Sequence, residues 1–313
     1  MQASQVGGPT TLLNNGVNFP MIGLGTFLAT EGDCKANVLE AVLNVGYRNI
    51  DTAMIYQNEE AIGEALQEIF ASGKVKREEL FITTKLWQSD KLNVEGALRE
   101  SLRKLKLDYI DLYLIHWMAP TMVWEDAEPI KGTPTHKVWA ELERLVDAGL
   151  IKSIGVSNCT TPMLLDLLTY ARIKPVMNQI ELHPYFVQPD LVAFHDKLGI
   201  KVQAYAPLGS NTWTLKAEHL KSLNLLEEPV IKALSEKYGK KPGQIILNWH
   251  LHRGHIIIPK TTNPGRLAEN MNCYDFTLTE EEYQSITKLD QQARFFNPKV
   301  FKEYGWNNAP YFD

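Results

Sequence analysis

The chain has 313 residues, 44% of them hydrophobic and 22% charged, and its 32 basic and 37 acidic side chains leave a formal net charge of −5. These values are typical of a globular domain. Because the basic residues are not clustered, we expect no nucleic-acid partner.

The cysteines and the N-terminus indicate where the protein works. Cys34, Cys159 and Cys273 are widely spaced and odd in number, which favours reduced thiols over a disulfide framework or a metal site. Residues 1–9 lack the apolar stretch of a secretory signal, and no apolar run approaches the length of a membrane span. We therefore expect a cytoplasmic protein with no membrane partner.

A hairpin is predicted near the start of the chain. Residues 11–13 and 17–19 flank Asn14, Asn15 and Gly16, which together are a turn signal. We expect this hairpin to lie as a lid over the bottom of the domain that follows.

Eight short apolar runs then recur, each rich in Ile, Val, Leu or Tyr. They are residues 21–24, 47–51, 80–84, 111–116, 153–156, 176–180, 201–205 and 255–258. Apolar residues at helical spacing lie between most of them, for example in residues 61–69 and 94–105. Because such an alternation is typical of a closed parallel barrel, we predict one (β/α)8 TIM-barrel domain over residues 1–313.

The main alternative is an open doubly wound sheet with a glycine-rich phosphate-binding turn. Gly23 and Gly25 resemble the start of such a turn, but Leu28 stands where its third glycine belongs. The barrel is therefore the favoured fold. The long connections at residues 118–135 and 209–225 are typical of functional loops, and the aromatic tail, residues 293–313, is expected to pack across one face.

Polar side chains stand at or just beyond the ends of the predicted strands. They are Asp51 with Tyr56, Lys85, His116, Ser157 with Asn158, Gln179, Tyr205 and Lys260. Because all strands of a parallel barrel end at the same face, we expect these side chains to meet at one mouth, where barrel enzymes place their active sites.

Four of these residues form a set suited to protonating an oxygen. A phenol such as that of Tyr56 has an ordinary pKa of about 10 and releases its proton poorly near neutrality. The ammonium of Lys85 would favour the phenolate and lower that pKa, while Asp51 would keep the lysine charged and oriented. His116 would donate a hydrogen bond to a substrate carbonyl oxygen, or share in the proton transfer.

Other candidates are weighed against these four. His250, His252 and His255 resemble a metal cluster, but their segment is interpreted as a helix end that runs into the eighth strand, which would separate them. We therefore predict no metal site. Trp87 and Trp117 follow the third and fourth strands and are expected to wall an apolar substrate pocket.

Three long motifs resemble the signatures of the aldo-keto reductase family, in particular of its aldose and aldehyde reductases. They are residues 46–53 (GYRNIDTA) with 56–59 (YQNE), residues 105–117 (LKLDYIDLYLIHW), and residues 258–262 (IPKTT) continuing to Arg266, Glu269 and Asn270. The motifs stand in the family's order, and the resemblance extends over residues 12–290, nearly the whole chain.

This resemblance implies a role for each matching residue. Tyr56 would be the general acid, and Asp51, Lys85 and His116 would complete a catalytic tetrad. Tyr205 would stack on the nicotinamide ring of NADPH. The other residues implied at the cofactor are Gly25, Thr26, Ser157, Asn158, Gln179, Pro207, Leu208, Gly209, Ser210, Lys260, Thr261, Arg266, Glu269 and Asn270.

The cofactor preference also follows from these residues. The resemblance places Lys260, Thr261 and Arg266 around the 2′-phosphate, and two cations with a hydroxyl suit a phosphate dianion better than a ribose hydroxyl. We therefore expect NADPH rather than NADH. Phe27 stands where aldose reductases usually carry a pocket tryptophan, so it is expected in the substrate pocket.

The expected function is the NADPH-dependent reduction of a small carbonyl substrate to an alcohol. Aldehydes are the first expectation, with aldoses and ketones as further candidates, and the protein is expected to be a monomer. One alternative is an aldolase that uses Lys85 as a Schiff-base nucleophile. Another is a non-catalytic barrel subunit that retains only cofactor binding.

Overall fold

The computed structural model describes residues 6–119, 132–209, 220, 222–298 and 311–312. Near the N-terminus, β1 (Thr10–Leu12) and β2 (Asn18–Pro20) form an antiparallel hairpin. The side-chain amide of Asn14 donates to the carbonyl of Pro175 at 2.9 Å, and that of Asn15 donates to the Ser153 hydroxyl at 2.9 Å. The hairpin therefore covers one end of the central sheet, as predicted.

Eight parallel strands form that sheet and pair in chain order within the described residues. They are β3 (Leu24–Gly25), β4 (Asn49–Asp51), β5 (Phe81–Leu86), β6 (Ile110–Ile115), β7 (Ile151–Ser157), β8 (Met177–Glu181), β9 (Lys201–Tyr205) and β10 (Ile256–Ile257). Each overlaps one of the eight predicted apolar runs. The runs are nearly continuous because parallel strands are covered on both faces.

The sheet closes on itself between its first and last strands. The backbone N–H of Gly23 donates to the carbonyl of Ile257 at 2.8 Å, and that of Gly25 donates to the carbonyl of Pro259 at 3.2 Å. Gly25 permits this approach, since a Cβ there would lie 2.6 Å from the carbonyl oxygen of Ile258. The predicted TIM barrel is confirmed, and the open doubly wound sheet is not the fold.

Helices alternate with the strands. They are α1 (Glu31–Glu40), α2 (Glu59–Ala71), α3 (Val94–Leu105), α4 (Thr135–Asp147), α5 (Thr161–Tyr170), α6 (Pro189–Leu198), α7 (Pro229–Tyr238), α8 (Pro242–His252), α9 (Pro264–Met271) and α10 (Glu280–Thr287). Helix α3 shows the reason for their placement: Leu98, Leu102 and Leu105 share one face and are buried. No helix within the described residues is long and apolar enough to cross a membrane.

The two ends of the barrel differ in polarity. At the hairpin end, Leu13 and Phe19 pack with interior barrel residues such as Leu112 and Met177 in an apolar cluster. The carboxyl ends of the strands lie at the opposite end, where buried polar side chains such as Asp51 occur. The fold therefore leaves one polar end where chemistry can take place.

Candidate active site

A cavity of about 410 Å³ opens at the carboxyl ends of the strands. Its lining includes Asp51, Tyr56 and His116 in one part and Lys260 and Arg266 in another. Side chains that are far apart in the sequence thus face a single space. This is the arrangement expected when parallel strands end at one mouth.

Lys85 and Asp51 form a buried ion pair beside the cavity. Lys85 Nζ donates to Asp51 Oδ1 at 2.7 Å, to the Thr52 carbonyl at 2.8 Å and to the Tyr56 hydroxyl at 3.3 Å. Burial is the largest influence on the pair: it lowers the pKa of Lys85 and raises that of Asp51, while their mutual attraction opposes both shifts. An ammonium has three donors, and here each has an acceptor.

Lys85 is fully buried and does not line the cavity. Its amine therefore has no direct route to a substrate carbon, which an aldolase nucleophile requires. The position of Lys85 suits action through Tyr56 instead.

Tyr56 ends a short 3₁₀ helix, Met54–Tyr56, just beyond β4. Its ring lies 4.8 Å from that of Phe27 and 5.8 Å from that of His116, between centroids, and it lines the cavity. The nearby ammonium of Lys85 stabilises a phenolate relative to a phenol. The hydroxyl is therefore suited to release its proton toward a bound molecule.

His116 follows β6, and its side chain is held among aromatic and charged groups. Trp87 meets the imidazole edge-on, with 5.1 Å between the centroids. Burial, and next the charge of Lys85, hold the pKa of His116 well below its ordinary value. The ring is therefore neutral near neutral pH. Its Nδ1 has no hydrogen-bond partner among the described residues.

Hydrogen bonds link four polar side chains that line the cavity. Ser157 ends β7 and Asn158 follows it, while Gln179 lies on β8 and Tyr205 ends β9. The Asn158 amide donates to the carbonyl of His116 at 3.0 Å, and its oxygen accepts from the Tyr205 hydroxyl at 2.9 Å. Gln179 Nε2 donates to Asp51 Oδ2 at 2.6 Å. These bonds fix the side chains through protein contacts alone.

Further residues implied at the cofactor border the same space. Gly25, Thr26, Pro207, Leu208 and Gly209 line the cavity, whereas Ser210 lies outside the described residues. Thr26 donates through its N–H and hydroxyl to the carbonyl of Asp51 at 3.1 and 2.9 Å. The cavity is thus bordered by strand ends and by the loop that follows β9.

The histidines that resemble a metal cluster make other contacts. The Nε2 of His250 lies 3.1 Å from the carbonyl oxygen of Pro207, so an N–H there donates to the loop that borders the cavity. His255 is buried just before β10, and burial holds its pKa well below its ordinary value. Within the described ranges, no group of three His, Cys, Asp or Glu residues is arranged to hold a metal ion.

The far part of the cavity carries two exposed cations, Lys260 and Arg266. Neither forms a salt bridge with any residue that the structure describes. Thr261, Glu269 and Asn270 lie nearby in sequence but do not line the cavity. Two cations on an open rim that make no salt bridge with the described part of the chain are suited to bind an anionic group.

The aromatic residues expected at the substrate pocket separate into two groups. Phe27 and Trp87 line the cavity. Trp117 does not, because its ring stacks on Phe296 at 5.5 Å and meets Tyr311 edge-on at 5.0 Å. The described part of the C-terminal tail therefore covers Trp117 at the polar end of the barrel, and the expected packing of this tail on one face is seen there.

Several cavity residues were not foreseen from the sequence. They are Leu28, Ile55, Glu181, Ala206, Ile258, Pro259, Phe295 and Phe296. Glu181 had a usable signal, since it follows Gln179 by two positions and side chains two apart on a strand share a face. Phe295 and Phe296 had none, because the tail has no regular period and its packing is a long-range contact.

The model of the aldo/keto reductase family matches residues 21–291. The chain belongs to the aldo/keto reductase family. The resemblance seen in the three motifs is confirmed, and it covers the barrel and every member of the tetrad.

Individual relatives are similar in sequence to this protein over nearly the whole chain. Mouse aldo-keto reductase family 1 member A1 is 41% identical over 93% of this chain and 92% of its own length. Aldose reductase B of Dictyostelium discoideum is 40% identical over 93% of this chain and 96% of its own length. An aldo-keto reductase of Bombyx mori, solved in complex with NADP, superposes with a TM-score of 0.84 at 38% identity, covering 96% of this chain and 98% of that one.

Membership of this family establishes the class of reaction. The protein is an NADP(H)-dependent oxidoreductase that acts on the carbonyl groups of small molecules. The expected enzyme class and cofactor are therefore confirmed. The roles of individual residues rest on the geometry of the cavity.

Proposed function

We propose that the cavity is the active site and that it reduces an aldehyde next to Tyr56 with NADPH bound along its length. The observation that carries this proposal is the single cavity that joins Tyr56 and His116 to Lys260 and Arg266. One part offers proton donors, and the other offers cations. The proposed reaction uses both, because the reactive ring and the 2′-phosphate of NADPH lie at opposite ends: the proton donors serve the substrate beside the ring, and the cations serve the phosphate.

The donor set of the cavity fits this cofactor. Ser157, Asn158 and Gln179 would hold the carboxamide of the nicotinamide, and Tyr205 would support the ring. Pro207 to Gly209 would border the pyrophosphate, and Lys260 with Arg266 would bind the 2′-phosphate. When bound, NADPH supplies a hydride to the carbonyl carbon.

Tyr56 would supply the proton. The carbonyl oxygen gains negative charge as its carbon is reduced, and a phenol beside it can protonate that oxygen. Lys85, 3.3 Å from the hydroxyl, stabilises the phenolate that remains. Asp51 holds the lysine in place and charged, and Thr26 and Gln179 hold Asp51.

His116 would orient the substrate rather than protonate it. Because its pKa lies well below the ordinary value, the imidazole is neutral at neutral pH. A neutral imidazole donates one N–H and can hydrogen-bond a carbonyl oxygen. The proton itself then comes from Tyr56, which leaves the two residues with separate tasks.

The direct test is to mix the full-length protein with NADPH and a simple aromatic aldehyde and to follow the loss of NADPH absorbance. We expect steady consumption and formation of the alcohol. NADPH binding without any turnover over an aldehyde and ketone panel would instead identify a barrel that only binds the cofactor. Borohydride trapping of substrate on Lys85 would favour the aldolase chemistry, which the burial of that amine opposes.

A further inference from the structure

Glu181 is a buried carboxylate at the end of β8 that the chemistry above does not use. Its side chain is fully buried and lines the cavity. It shares a strand face with Gln179, so it projects toward the same side of the sheet as the proposed cofactor ligands. A buried carboxylate is unfavourable unless its oxygens are bonded, so its partners indicate its task.

Those partners belong mainly to the C-terminal segment. The carboxylate accepts the backbone N–H of Phe295 at 2.6 Å and that of Phe296 at 2.8 Å, one on each oxygen. The oxygen that binds Phe295 also lies 3.0 Å from Nε2 of His183. Among the described residues, no Lys or Arg lies within salt-bridge distance of Glu181.

These bonds fix a part of the cavity wall that lacks regular secondary structure. Phe295 and Phe296 line the cavity but belong to no helix or strand of the described chain. Phe295 stacks on the ring of His183 at 4.6 Å. Phe296 meets Tyr205 edge-on at 6.0 Å. The position of both rings thus depends on anchors outside their own backbone, and Glu181 supplies two of them.

We propose that Glu181 is a positioning residue that holds the aromatic wall, Phe295 and Phe296, against the cavity and so sets the preference for aldehydes with a bulky aromatic group. The inference rests on the proposed function, because it assumes that the substrate lies in this cavity. A short aldehyde reaches Tyr56 without needing the wall. A bulky aromatic aldehyde has to pack on it.

The chemistry of the contact distinguishes glutamate from close substitutes. In Glu181→Gln, one oxygen becomes an NH2 group, which cannot accept a hydrogen bond and would face a backbone N–H. In Glu181→Asp, the charge remains, but the side chain is one methylene shorter and cannot reach both N–H groups. If Glu181 positions the aromatic wall, both variants lose the preference for bulky aromatic aldehydes. If only the negative charge matters, Glu181→Asp behaves like the natural protein.

The experiment compares kcat/KM for naphthaldehyde and for propanal, with NADPH affinity measured separately. In Glu181→Gln and in Glu181→Asp we expect kcat/KM for naphthaldehyde to fall about tenfold or more, the effect of one charge-assisted hydrogen bond, with propanal changed less than about twofold. NADPH affinity should remain unchanged. Glu143→Gln is the matched control. Glu143, on α4, is also buried and accepts a hydrogen bond from a backbone N–H, that of Ile173, at 2.8 Å.

A double-mutant comparison separates positioning from a general structural effect. In the Phe295→Ala, Phe296→Ala background the wall is absent, so adding Glu181→Gln should leave the ratio of the two kcat/KM values unchanged. Equal loss for both aldehydes, or an unchanged ratio in Glu181→Gln alone, would overturn the proposal. So would a ratio that shifts equally with and without the two phenylalanines.

Hydrogen exchange gives a readout that needs no turnover. In the substrate-free protein, Glu181→Gln should raise the exchange rate of the Phe295 and Phe296 amides about tenfold or more, while Glu143→Gln leaves them protected. Unchanged protection would contradict the contact itself. A natural protein that oxidises NADPH with neither aldehyde would refute the proposed function, and the exchange rates would still decide whether Glu181 holds the segment.

Discussion

The two parts of the cavity hold their charges in opposite ways. At Tyr56, the ionic groups are buried and already bonded: Lys85 has three protein acceptors, and Asp51 accepts from Lys85 and Gln179. At the far part, Lys260 and Arg266 are exposed and make no salt bridge with the described residues. The first arrangement is fixed by protein contacts, whereas the second leaves both cations able to pair with a ligand.

This difference suits the two tasks. A group that stabilises charge during a reaction works best when it is already oriented in a site from which water is excluded. A group that recognises a phosphate has to be free to pair with it, and its strength is limited by solvent. Substitutions at the two parts should therefore affect different quantities: the rate at one, and cofactor affinity at the other.

Removal of the buried ammonium should have the largest combined effect on rate and stability. Lys85→Met leaves Asp51 as a buried charge without its partner, so we expect kcat to fall about 10³-fold and the free energy of unfolding to fall by about 3–5 kcal/mol. Kinetics and urea unfolding measure the two effects.

A second variant separates these losses. Lys85→Met combined with Asp51→Asn carries no unpaired charge, so much of the stability should return while the rate stays low. A double variant that regains the natural rate would show that the ion pair serves folding alone.

At the exposed part, the effect should be smaller and confined to the cofactor. Lys260→Ala with Arg266→Ala removes two charge-assisted contacts to the proposed 2′-phosphate, so we expect the Kd for NADPH to rise about 100-fold and that for NADH less than about threefold. Fluorescence titration with both cofactors checks this, and stability should hardly change. Equal weakening of NADPH and NADH would refute the phosphate assignment.

The smallest expected effect is on the pH dependence of stability at the buried part. The folded protein keeps His116 neutral well below its ordinary pKa of 6.5, whereas the unfolded chain protonates it as the pH falls through that value. The unfolded state then binds the extra proton, so the free energy of unfolding falls as the pH is lowered. Between pH 6 and pH 5 the loss is about 1.2 kcal/mol.

His116→Gln is the control, since it has no group to titrate there. Urea unfolding at pH 7, 6 and 5 should show that the natural protein loses stability faster than this variant. Parallel curves would mean that the imidazole takes up its proton in the folded state.

The same contrast explains what the sequence could predict. The sequence predicts that Asp51, His116, Ser157 and Gln179 meet at one mouth, because the strands of a parallel barrel end at one face and apolar runs show where each strand ends. All four line the cavity. Lys260 and Arg266 follow from the resemblance of their motif, and they line the same cavity as Asp51, Tyr56 and His116. These parts depend on local patterns that sequence reasoning can follow.

The part of the cavity wall that the sequence does not predict depends on long-range packing. Trp117 was expected to wall the pocket, but the tail aromatics Phe296 and Tyr311 cover it, and Phe296 takes a place in the cavity wall. The tail carries no period that fixes its path. Its path depends instead on contacts such as those of Glu181, which lies more than one hundred residues earlier.

In the proposed reaction, the Tyr56 hydroxyl delivers the proton while the rest of the site binds the cofactor. Tyr56→Phe removes only that oxygen, and the test measures both NADPH affinity and the single-turnover rate of hydride transfer to an aromatic aldehyde. We expect the Kd for NADPH to stay within about twofold and the transfer rate to fall at least about 10³-fold. A variant that binds NADPH and reduces the aldehyde at close to the natural rate would contradict the account.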